Sequence, residues 1–479
     1  AMAIAGFVGA GSAFADETYS LTVSGTGHTY NIYQIFTGTP SNGKLTDVKW
    51  GQNGTGAVGS AVDDSTLTAI AAVSGTDQKK ADALKTYANL SGNAFTSVAS
   101  GAAASVPAGY YLVKDQDNSQ KDKDDAYTTY IVKVVDSNVA VNPKSDVPSF
   151  EKKVKDTNDT TGETSGWQDS ADYDFGDAVP FQLKATLPNN YSDYKTYYLA
   201  FHDVEEEGLS FNKDSVKVSI DGQTVDAANY TVKTKADGLT DGCTFEVVFK
   251  DLKSTAAKNG SEVTVEYTST LTEQANLGQQ GNVNQAKLQF SNNPNSEQEG
   301  ENGPTGETPW DNVIVFTYKV TVNKVDQNQK SLKGAAFKLE KTYKDGSTKL
   351  VKEFTSDDGT KFTFSGLDDG DYILTETTTP AGYNSIKPIT FTVTADHKIV
   401  WGDTDQRTDI LTSVSGDKAS GEITFTSDGD KNLATNVVNK SGSSLPETGG
   451  MGTIVLYVAG AALVIAAGAY FALRKKSAR

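Results

Sequence analysis

The chain is poor in the residues that build disulfides and metal centres. Its 479 residues include one cysteine, Cys243, three histidines and two methionines. A single thiol cannot form an internal disulfide, so any covalent cross-link within the chain must use other chemistry. The histidines are scattered along the sequence, so we expect no metal site and no catalytic histidine. They are His28, His202 and His397.

Motifs of common enzymes are also lacking. The sequence contains no phosphate-binding P-loop and no Gly-x-Ser-x-Gly nucleophile motif. We therefore expect the protein not to be an enzyme and to need no cofactor. Basic residues are outnumbered, 43 against 61 acidic ones, which gives a net charge of −18. This excess of negative charge argues against a nucleic-acid partner.

Several acidic segments could in principle hold calcium, but none has the spacing of an EF-hand loop. We expect them to be solvated turns. They are residues 115–125, Asp357 with Asp358, and Asp368 with Asp369 and Asp371.

The length is typical of about three domains. Alternating apolar residues, separated by polar turns, predict strands through most of the chain. Residues 64–90 instead have helical periodicity. The sequence thus predicts a mainly β protein of tandem β-sandwich domains, the first with helical insertions.

The N-terminus has features of export. Residues 2–10 are apolar, and Ala13-Phe14-Ala15 has the small-x-small form of a signal-peptidase site, so we expect a mature start near Asp16. The missing basic segment indicates a truncated signal peptide, residues 1–15. A short buried helix is the alternative.

The C-terminus combines a short motif, an apolar stretch and a basic tail. Leu445, Pro446, Glu447, Thr448 and Gly449 form LPETG, and residues 453–473 are apolar. As a helix this stretch would just span a bilayer, and the cations at 474–479 favour a cytoplasmic tail. An ordinary membrane anchor after a proline-containing linker is the alternative interpretation.

Polar residues occupy core-facing positions of predicted strands. Lys152 shares a strand face with Phe150 and Val154, and Asn292 shares one with Ala286, Leu288 and Phe290. A buried amine and a buried amide are costly unless paired. Asp203 adds a carboxylate at another strand end.

A lysine also follows the last predicted strand of the first domain. Pro143 lacks an amide hydrogen and should end the strand that carries Val139 and Val141. Lys144 would then project into water at a domain junction. A solvated linker lysine is the alternative.

The C-terminal order of motif, span and basic tail resembles the cell-wall sorting signal of Gram-positive surface proteins. This resemblance implies that a sortase cysteine cleaves between Thr448 and Gly449 and passes the threonine acyl group to an amine. The segment ending at Lys144 resembles the pilin motif of sortase-assembled pili, whose lysine supplies that amine. It departs from the family at Asn142, where an aromatic residue is usual.

Two further segments resemble pilin domains. FHDVEEEGL (201–209) and LQFSNNP (288–294) resemble the pilin D2 domain. YILTETTTPAGY (372–383) resembles the E-box of the collagen-adhesin B-type repeat, an immunoglobulin-like sandwich. Both resemblances imply an intramolecular isopeptide bond between a lysine and an asparagine, promoted by a nearby acid.

Carried over by position, the resemblance implies two sets of reactive residues. The second domain would use Lys152, Asp203 and Asn292, with Lys153 as an alternative. The third would use Lys324, Glu376 and Asn439, with Asn436 as an alternative. Burial would favour a neutral amine and a protonated acid, the forms the reaction needs.

The resemblance implies tandem immunoglobulin-like β-sandwich domains, a C-terminal transmembrane helix, and the function of a major pilus subunit. Expected partners are a class C pilus sortase, identical subunits, minor or tip pilins, the housekeeping sortase and peptidoglycan, with an unknown host ligand. The location would be the cell wall, with the precursor held in the plasma membrane. A monomeric wall-anchored adhesin is the alternative. The expected domains are residues 16–146, 147–318 and 319–441, followed by the sorting signal at 442–479.

Overall fold

The computed structural model describes residues 17–42, 44–298, 300–355, 359–397, 411–418 and 423–442. The predicted signal-peptide remnant, the LPETG motif, the apolar stretch 453–473 and the Asp357–Asp358 pair lie outside the described residues. Within the described ranges, no helix is long and apolar enough to cross a membrane. These ranges are mainly β, as predicted, and their sheets follow one another in three groups along the chain.

The first group of sheets contains two short helices between its third and fourth strands, each capped by a side chain. Asp63 accepts the amide hydrogen of Thr66, and Thr76 accepts that of Lys79. One sheet has the order β5-β1-β8; the other has the order β3-β2-β6-β7, with β4 also paired to β2. The elements are β1 (Thr18–Val23), β2 (Thr29–Ser41), β3 (Lys44–Trp50), α1 (Asp64–Ala71), α2 (Asp77–Leu84), β4 (Thr96–Ala99), β5 (Ala103–Pro107), β6 (Gly109–Asp115), β7 (Ile131–Val135) and β8 (Val139–Val141).

The second group is a sandwich around the largest apolar core of the described chain. Its strands are β9 (Ser149–Val154), β10 (Thr157–Asn158), β11 (Glu163–Thr164), β12 (Ser170–Asp172), β13 (Ala178–Thr186), β14 (Leu199–Glu205), β15 (Leu209–Ile220), β16 (Gln223–Thr224), β17 (Thr231–Thr234), β18 (Phe245–Phe249), β19 (Glu262–Leu271), β20 (Asn282–Ser291), β21 (Thr305–Glu307) and β22 (Asp311–Phe316). One sheet has the order β16-β15-β19-β13-β9. The facing sheet has the order β12-β22-β20-β14-β18-β17, with β21 also paired to β20.

The third group follows directly, since β22 and the next strand are separated only by Thr317. Its strands are β23 (Tyr318–Asp326), β24 (Ala336–Thr342), β25 (Thr348–Phe354), β26 (Lys361–Leu367), β27 (Gly370–Thr378), β28 (Ile389–Asp396), β29 (Ser413–Lys418), β30 (Phe425–Ser427) and β31 (Leu433–Asn439). The sheets are β26-β23-β31-β30 and β25-β24-β27-β28-β29. The first strand, β23, pairs in parallel with the last, β31.

Short 3-10 turns connect many of these strands. They lie at Lys85–Tyr87, Tyr191–Asp193, Ala227–Asn229, Lys235–Asp237, Leu252–Ser254, Gly278–Gln280 and Gly300–Asn302.

Main-chain hydrogen bonds join the first group to the second. In the loop after β6, Asp122 N donates to Thr305 O at 3.1 Å, and Lys123 O accepts from Glu307 N at 3.1 Å. Gly306 permits this approach, because a β-carbon there would stand 2.4 Å from Lys123 O. The loop is thus held against β21.

Candidate functional site

Lys152 lies entirely inside the second sandwich. Alternation along β9 buries Lys152 and Val154 and leaves their neighbours partly exposed. The Lys152 amine crosses to the facing sheet, where its Nζ lies 2.6 Å from Asp203 Oδ2; neither side chain has any exposure. Nζ also lies 2.6 Å from the hydroxyl of Tyr267, which donates to the same Asp203 oxygen at 2.7 Å.

The apolar surroundings favour uncharged forms of this pair. Burial lowers the pKa of Lys152, against the opposing effect of the Asp203 charge. Burial likewise raises the pKa of Asp203, against the effect of Lys152. The rings of Phe181 and Tyr267 each lie 5.2 Å from the lysine nitrogen. A neutral amine is the nucleophilic form of lysine, so this setting suits attack on a carbonyl carbon.

An asparagine that the sequence analysis did not select lies beside this pair. Asn284 is fully buried, and its Nδ2 donates to Tyr267 Oη at 2.9 Å and to Glu205 Oε1 at 3.3 Å. Its carbonyl oxygen has no hydrogen-bond donor. Lys152 and Asn284 therefore share the hydroxyl of Tyr267. Burial raises the pKa of Glu205 to about 8, and the nearby charge of Asp203 contributes to this rise to a smaller extent.

The structure does not bring Asn292 to Lys152. Asn292 is buried at the end of β20, where its Nδ2 donates to Gln120 O at 2.8 Å and Asp125 O at 3.3 Å, both in the first group. Asn284 and Asn292 lie eight residues apart on one strand face, which is about 27 Å in an extended strand. The alternation of apolar residues alone could not choose between them. The register between β14 and β20 sets Glu205 opposite Asn284 and so determines which of the two asparagines lies near Lys152.

The alternative lysine occupies a different environment. Lys153 points away from the core, and its Nζ pairs with Asp169 at 2.6 Å while remaining partly exposed. Of the two neighbouring lysines, only Lys152 is desolvated and next to Asp203.

A second buried lysine lies in the third group. Lys324 has no exposure, and its Nζ donates to Val437 O at 2.9 Å and Val325 O at 3.1 Å. Burial lowers its pKa to about 8, although the charges of Glu376 and Asp326 act in the opposite direction. A substantial fraction of this amine is therefore neutral near pH 8.

Asn439 lies on the parallel strand next to Lys324. The register places Val437 opposite Lys324, and Asn439 is two residues further on the same face. Its Nδ2 donates to Glu376 Oε1 at 3.1 Å and to Asn384 O at 2.7 Å. The other oxygen of Glu376 and the carbonyl oxygen of Asn439 have no hydrogen-bond partner. The pairing of β23 with β31 thus places the buried amine near the amide, and the facing sheet adds the acid from β27.

Asn436, the alternative to Asn439, is exposed. Its Nδ2 donates to Gln329 Oε1 at 3.1 Å, outside the core. The structure therefore places Asn439, and not Asn436, with Glu376.

Lys144 is exposed beyond the end of β8, which stops at Val141. It lines a cleft of about 590 Å³ where the first and second groups meet. Helix α2 and strand β7 form one side of this cleft, and Asn189 and Asp193 lie on the other.

Three family models match separate parts of the chain. Residues 175–294 match the Gram-positive pilin backbone subunit 2, Cna-B-like domain. Residues 318–406 match the SpaA prealbumin-like fold domain, and residues 437–478 match the LPXTG cell wall anchor motif.

Related proteins and structures agree with these matches. The trypsin-resistant surface T6 protein of Streptococcus pyogenes serotype M6 is 28% identical over 309 residues, which are 61% of this chain and 51% of that protein. The chain thus spans about half the length of this curated relative.

Two solved structures share the fold. The T6 backbone pilin of serotype M6 Streptococcus pyogenes superimposes with a TM-score of 0.53 at 19% identity, covering 90% of this chain and 99% of that one. The full-length major pilin SpaD of Corynebacterium diphtheriae has a TM-score of 0.50 at 18% identity, covering 89% and 98%. The chain therefore has the fold of solved Gram-positive backbone pilins, contains a segment that matches the Gram-positive pilin backbone domain model, and carries an LPXTG cell-wall anchor motif.

Proposed function

We propose that this protein is the structural backbone subunit of a covalently polymerised surface pilus, and not an enzyme. The observation that carries the proposal is that one chain with a backbone-pilin fold contains both groups needed to link subunits, an amine and an acyl donor. Lys144 offers an exposed amine beyond the first group of sheets, and the LPETG motif offers an acyl donor at Thr448. The relatives named above are surface and backbone pilin proteins.

The linkage would be an acyl transfer. A class C sortase thiolate attacks the carbonyl carbon of Thr448, the bond to Gly449 breaks, and a thioester forms. The amine of Lys144 from another copy then attacks the thioester. An amide bond joins the two copies, and the sortase thiol is released.

Inside each subunit, we propose two isopeptide bonds that form without an enzyme. In the second domain the neutral Lys152 amine attacks the side-chain carbonyl carbon of Asn284, which replaces Asn292 in this role. Protonated Asp203 donates a proton to the developing oxyanion, and a proton of the attacking amine passes through the carboxyl group to the Asn284 amide nitrogen. The oxygen then returns its proton to Asp203, the carbon–nitrogen bond of the Asn284 amide breaks, and ammonia leaves. The product is an uncharged amide, so the buried site no longer holds an amine.

The third domain would react in the same way. Lys324 attacks the side-chain carbonyl carbon of Asn439, and Glu376 acts as the proton donor and acceptor. The unpartnered carbonyl oxygen of Asn439 supports this assignment, because the amide group is not held by a competing donor at that atom.

Mechanical strength is the proposed purpose of these bonds. Each would close a loop of more than 100 residues between the first strand of a domain and a strand near its end. By analogy with a disulfide of that size, the effect on the unfolded chain is about 4–5 kcal/mol. Pulling on the ends would then load a covalent bond and not a ladder of hydrogen bonds.

The proposed location is the Gram-positive cell wall, with the precursor held in the plasma membrane by residues 453–473. The proposed domains are 16–146, 147–318 and 319–441, followed by the sorting signal. Minor or tip pilins, the housekeeping sortase and peptidoglycan would be further partners. The alternative, a monomeric wall-anchored adhesin, would need the same sorting signal but no linkage at Lys144.

A blot of cell-wall extract after boiling in SDS separates the two functions. The pilus predicts a ladder of covalent multimers that disappears in Lys144→Ala. Lys121→Ala, which changes another exposed lysine of the first group, is the matched control and should keep the ladder. A single band of monomer size in the unmodified protein would rule out the pilus and favour the adhesin.

A further inference from the structure

A cluster of ionisable side chains lies where the second and third groups of sheets meet. Asp156 follows β9, Asp172 ends β12, and His397 follows β28. One ligand atom from each of the three lies within 4.8 Å of the other two. His397 Nε2 is 3.5 Å from Asp156 Oδ2 and 3.7 Å from Asp172 Oδ1. The fold thus brings together residues that are up to 241 positions apart in the sequence.

Hydrogen bonds fix which ring nitrogen of His397 faces the carboxylates. Ser170 Oγ lies 2.6 Å from the main-chain oxygen of His397, which can only accept, so the single hydroxyl hydrogen is donated there. The same Oγ lies 2.7 Å from His397 Nδ1 and must therefore accept a hydrogen from that nitrogen. In the neutral ring, the Nε2 lone pair then points toward two carboxylates. This arrangement is the one that metal-binding histidines show when a second group orients the ring.

Asp172 provides an independent observation at this site. Its side chain has no exposure, yet neither of its carboxylate oxygens has a donor at hydrogen-bond distance. Asp369 from the third group also leaves Oδ1 without a partner. Buried carboxylates without donors are strongly disfavoured unless a cation balances them.

Two other sites in the chain show how such a charge is balanced when the protein itself supplies the cation. Lys341 Nζ lies 2.9 Å from Asp159 and 2.5 Å from Asp174, and it also contacts Asp368. His28 lies between two carboxylates at hydrogen-bond distances of 2.6 and 2.8 Å. At His397 the corresponding distances are longer, at 3.5 and 3.7 Å. Although burial lowers the pKa of His397, Asp156 and Asp172 raise it to about 10, so a metal ion would have to displace the proton from Nε2. The distances are close to those between two ligands of one ion, whose bonds of about 2.0–2.2 Å set the ligands roughly 3.3–3.6 Å apart in tetrahedral geometry.

We propose that Asp156, Asp172 and His397 bind one divalent transition-metal ion, with Asp369 available as a further carboxylate ligand. An imidazole nitrogen together with carboxylates favours Zn²⁺ or Mn²⁺ over Ca²⁺, which prefers oxygen ligands alone. The ion would connect two residues of the second group to residues of the third. It would therefore fix the orientation of neighbouring modules, whether or not the chain is polymerised.

The test counts metal ions in the purified full-length chain in detergent. The protein is stripped with a chelator, incubated separately with Zn²⁺, Mn²⁺ or Ca²⁺, and dialysed before elemental mass spectrometry. Unmodified protein should retain one equivalent of Zn²⁺ or Mn²⁺ more than His397→Gln. His28→Gln, the matched change at a histidine between two carboxylates, should retain as much as the unmodified protein.

Asp172→Asn provides a second measurement that does not depend on the metal count. Without metal, removing the unpaired charge should raise the temperature of unfolding. With metal, the rise that Zn²⁺ or Mn²⁺ produces in the unmodified protein should be lost. Equal metal content in unmodified protein and His397→Gln would overturn the proposal. A thermal midpoint of the unmodified protein that does not respond to either ion would also overturn it.

Discussion

The amine of Lys152 and the carboxyl group of Asp203 meet 2.6 Å apart, on side chains from opposite sheets with no exposure to solvent. As a permanent ion pair this contact would be a poor source of stability, because desolvating two charges offsets most of their attraction. Burial moves the pKa of each group toward its neutral form. The proposed covalent bond, with Asn284 as the acyl donor, would use both groups in these neutral forms.

The first prediction concerns the identity of that asparagine. Asn284→Ala should remove one mass loss of about 17 Da, the mass of ammonia released with each bond. The reason is that Tyr267 Oη accepts hydrogen bonds from both the Lys152 amine and the Asn284 amide, which places this amide beside the proposed nucleophile. Intact-mass spectrometry of the purified chain measures the deficit directly.

Asn292→Ala is the matched control, since it changes an equally buried asparagine on the same strand face. It should keep the full mass deficit and remove only the side-chain hydrogen bonds to Gln120 O and Asp125 O. If Asn292→Ala loses the 17 Da and Asn284→Ala does not, the assignment to Asn284 is wrong.

The second prediction concerns the third domain. Glu376→Ala and Asn439→Ala should each remove one mass loss of about 17 Da, because the acid and the amide are hydrogen-bonded to each other beside the Lys324 strand. Peptide mapping should show Lys324 linked to Asn439 in the unmodified protein. Asn436→Ala is the control and should leave the deficit unchanged, as Asn436 faces solvent. A deficit that survives Asn439→Ala would contradict this pairing.

The third prediction is a dependence of bond formation on pH. Burial lowers the pKa of Lys324 to about 8, so the reactive neutral amine increases as the pH rises toward 8. Glu376→Gln should slow the reaction enough to isolate unlinked protein at pH 6. The rate of ammonia loss should then rise about tenfold per pH unit below the pKa of Lys324 and become constant above it. Because the substitution removes the Glu376 charge that raises this pKa, the constant rate should begin below pH 8. A rate that does not change between pH 6 and pH 9 would show that the lysine proton is not involved.

The fourth prediction concerns Lys341, which has three carboxylate neighbours at the junction of the second and third groups. Lys341→Met should lower the free energy of unfolding by about 3–5 kcal/mol, because it leaves buried Asp368 without its cation. Chemical denaturation measures the change in a Glu376→Ala background, in which the proposed third-domain bond should not form. Lys349→Met, at an exposed lysine, should change the free energy of unfolding little. Equal effects of the two substitutions would contradict the role given to the buried ion cluster.

Several elements of the site were predictable from local pattern. Alternation along β9 indicated that Lys152 faces the core and Lys153 does not, and the structure agrees with this placement. Lys324 was identified in a different way, through the resemblance of its segment to a known repeat. Pro143 was predicted to end a strand, and β8 stops at Val141 because proline cannot donate to a sheet.

The sequence by itself determined the mainly β architecture and the anchor motif, because side-chain alternation and short motifs are local properties of the chain. Tertiary structure decided which distant groups meet. Strand register placed Asn284 opposite Glu205 and beside Tyr267, whereas Asn292, one residue beyond the end of β20, lies against the first group. The packing of the second group against the third brought His397 to Asp172, which lies 225 positions earlier in the sequence. Such contacts depend on how sheets pair and pack, which no single strand encodes.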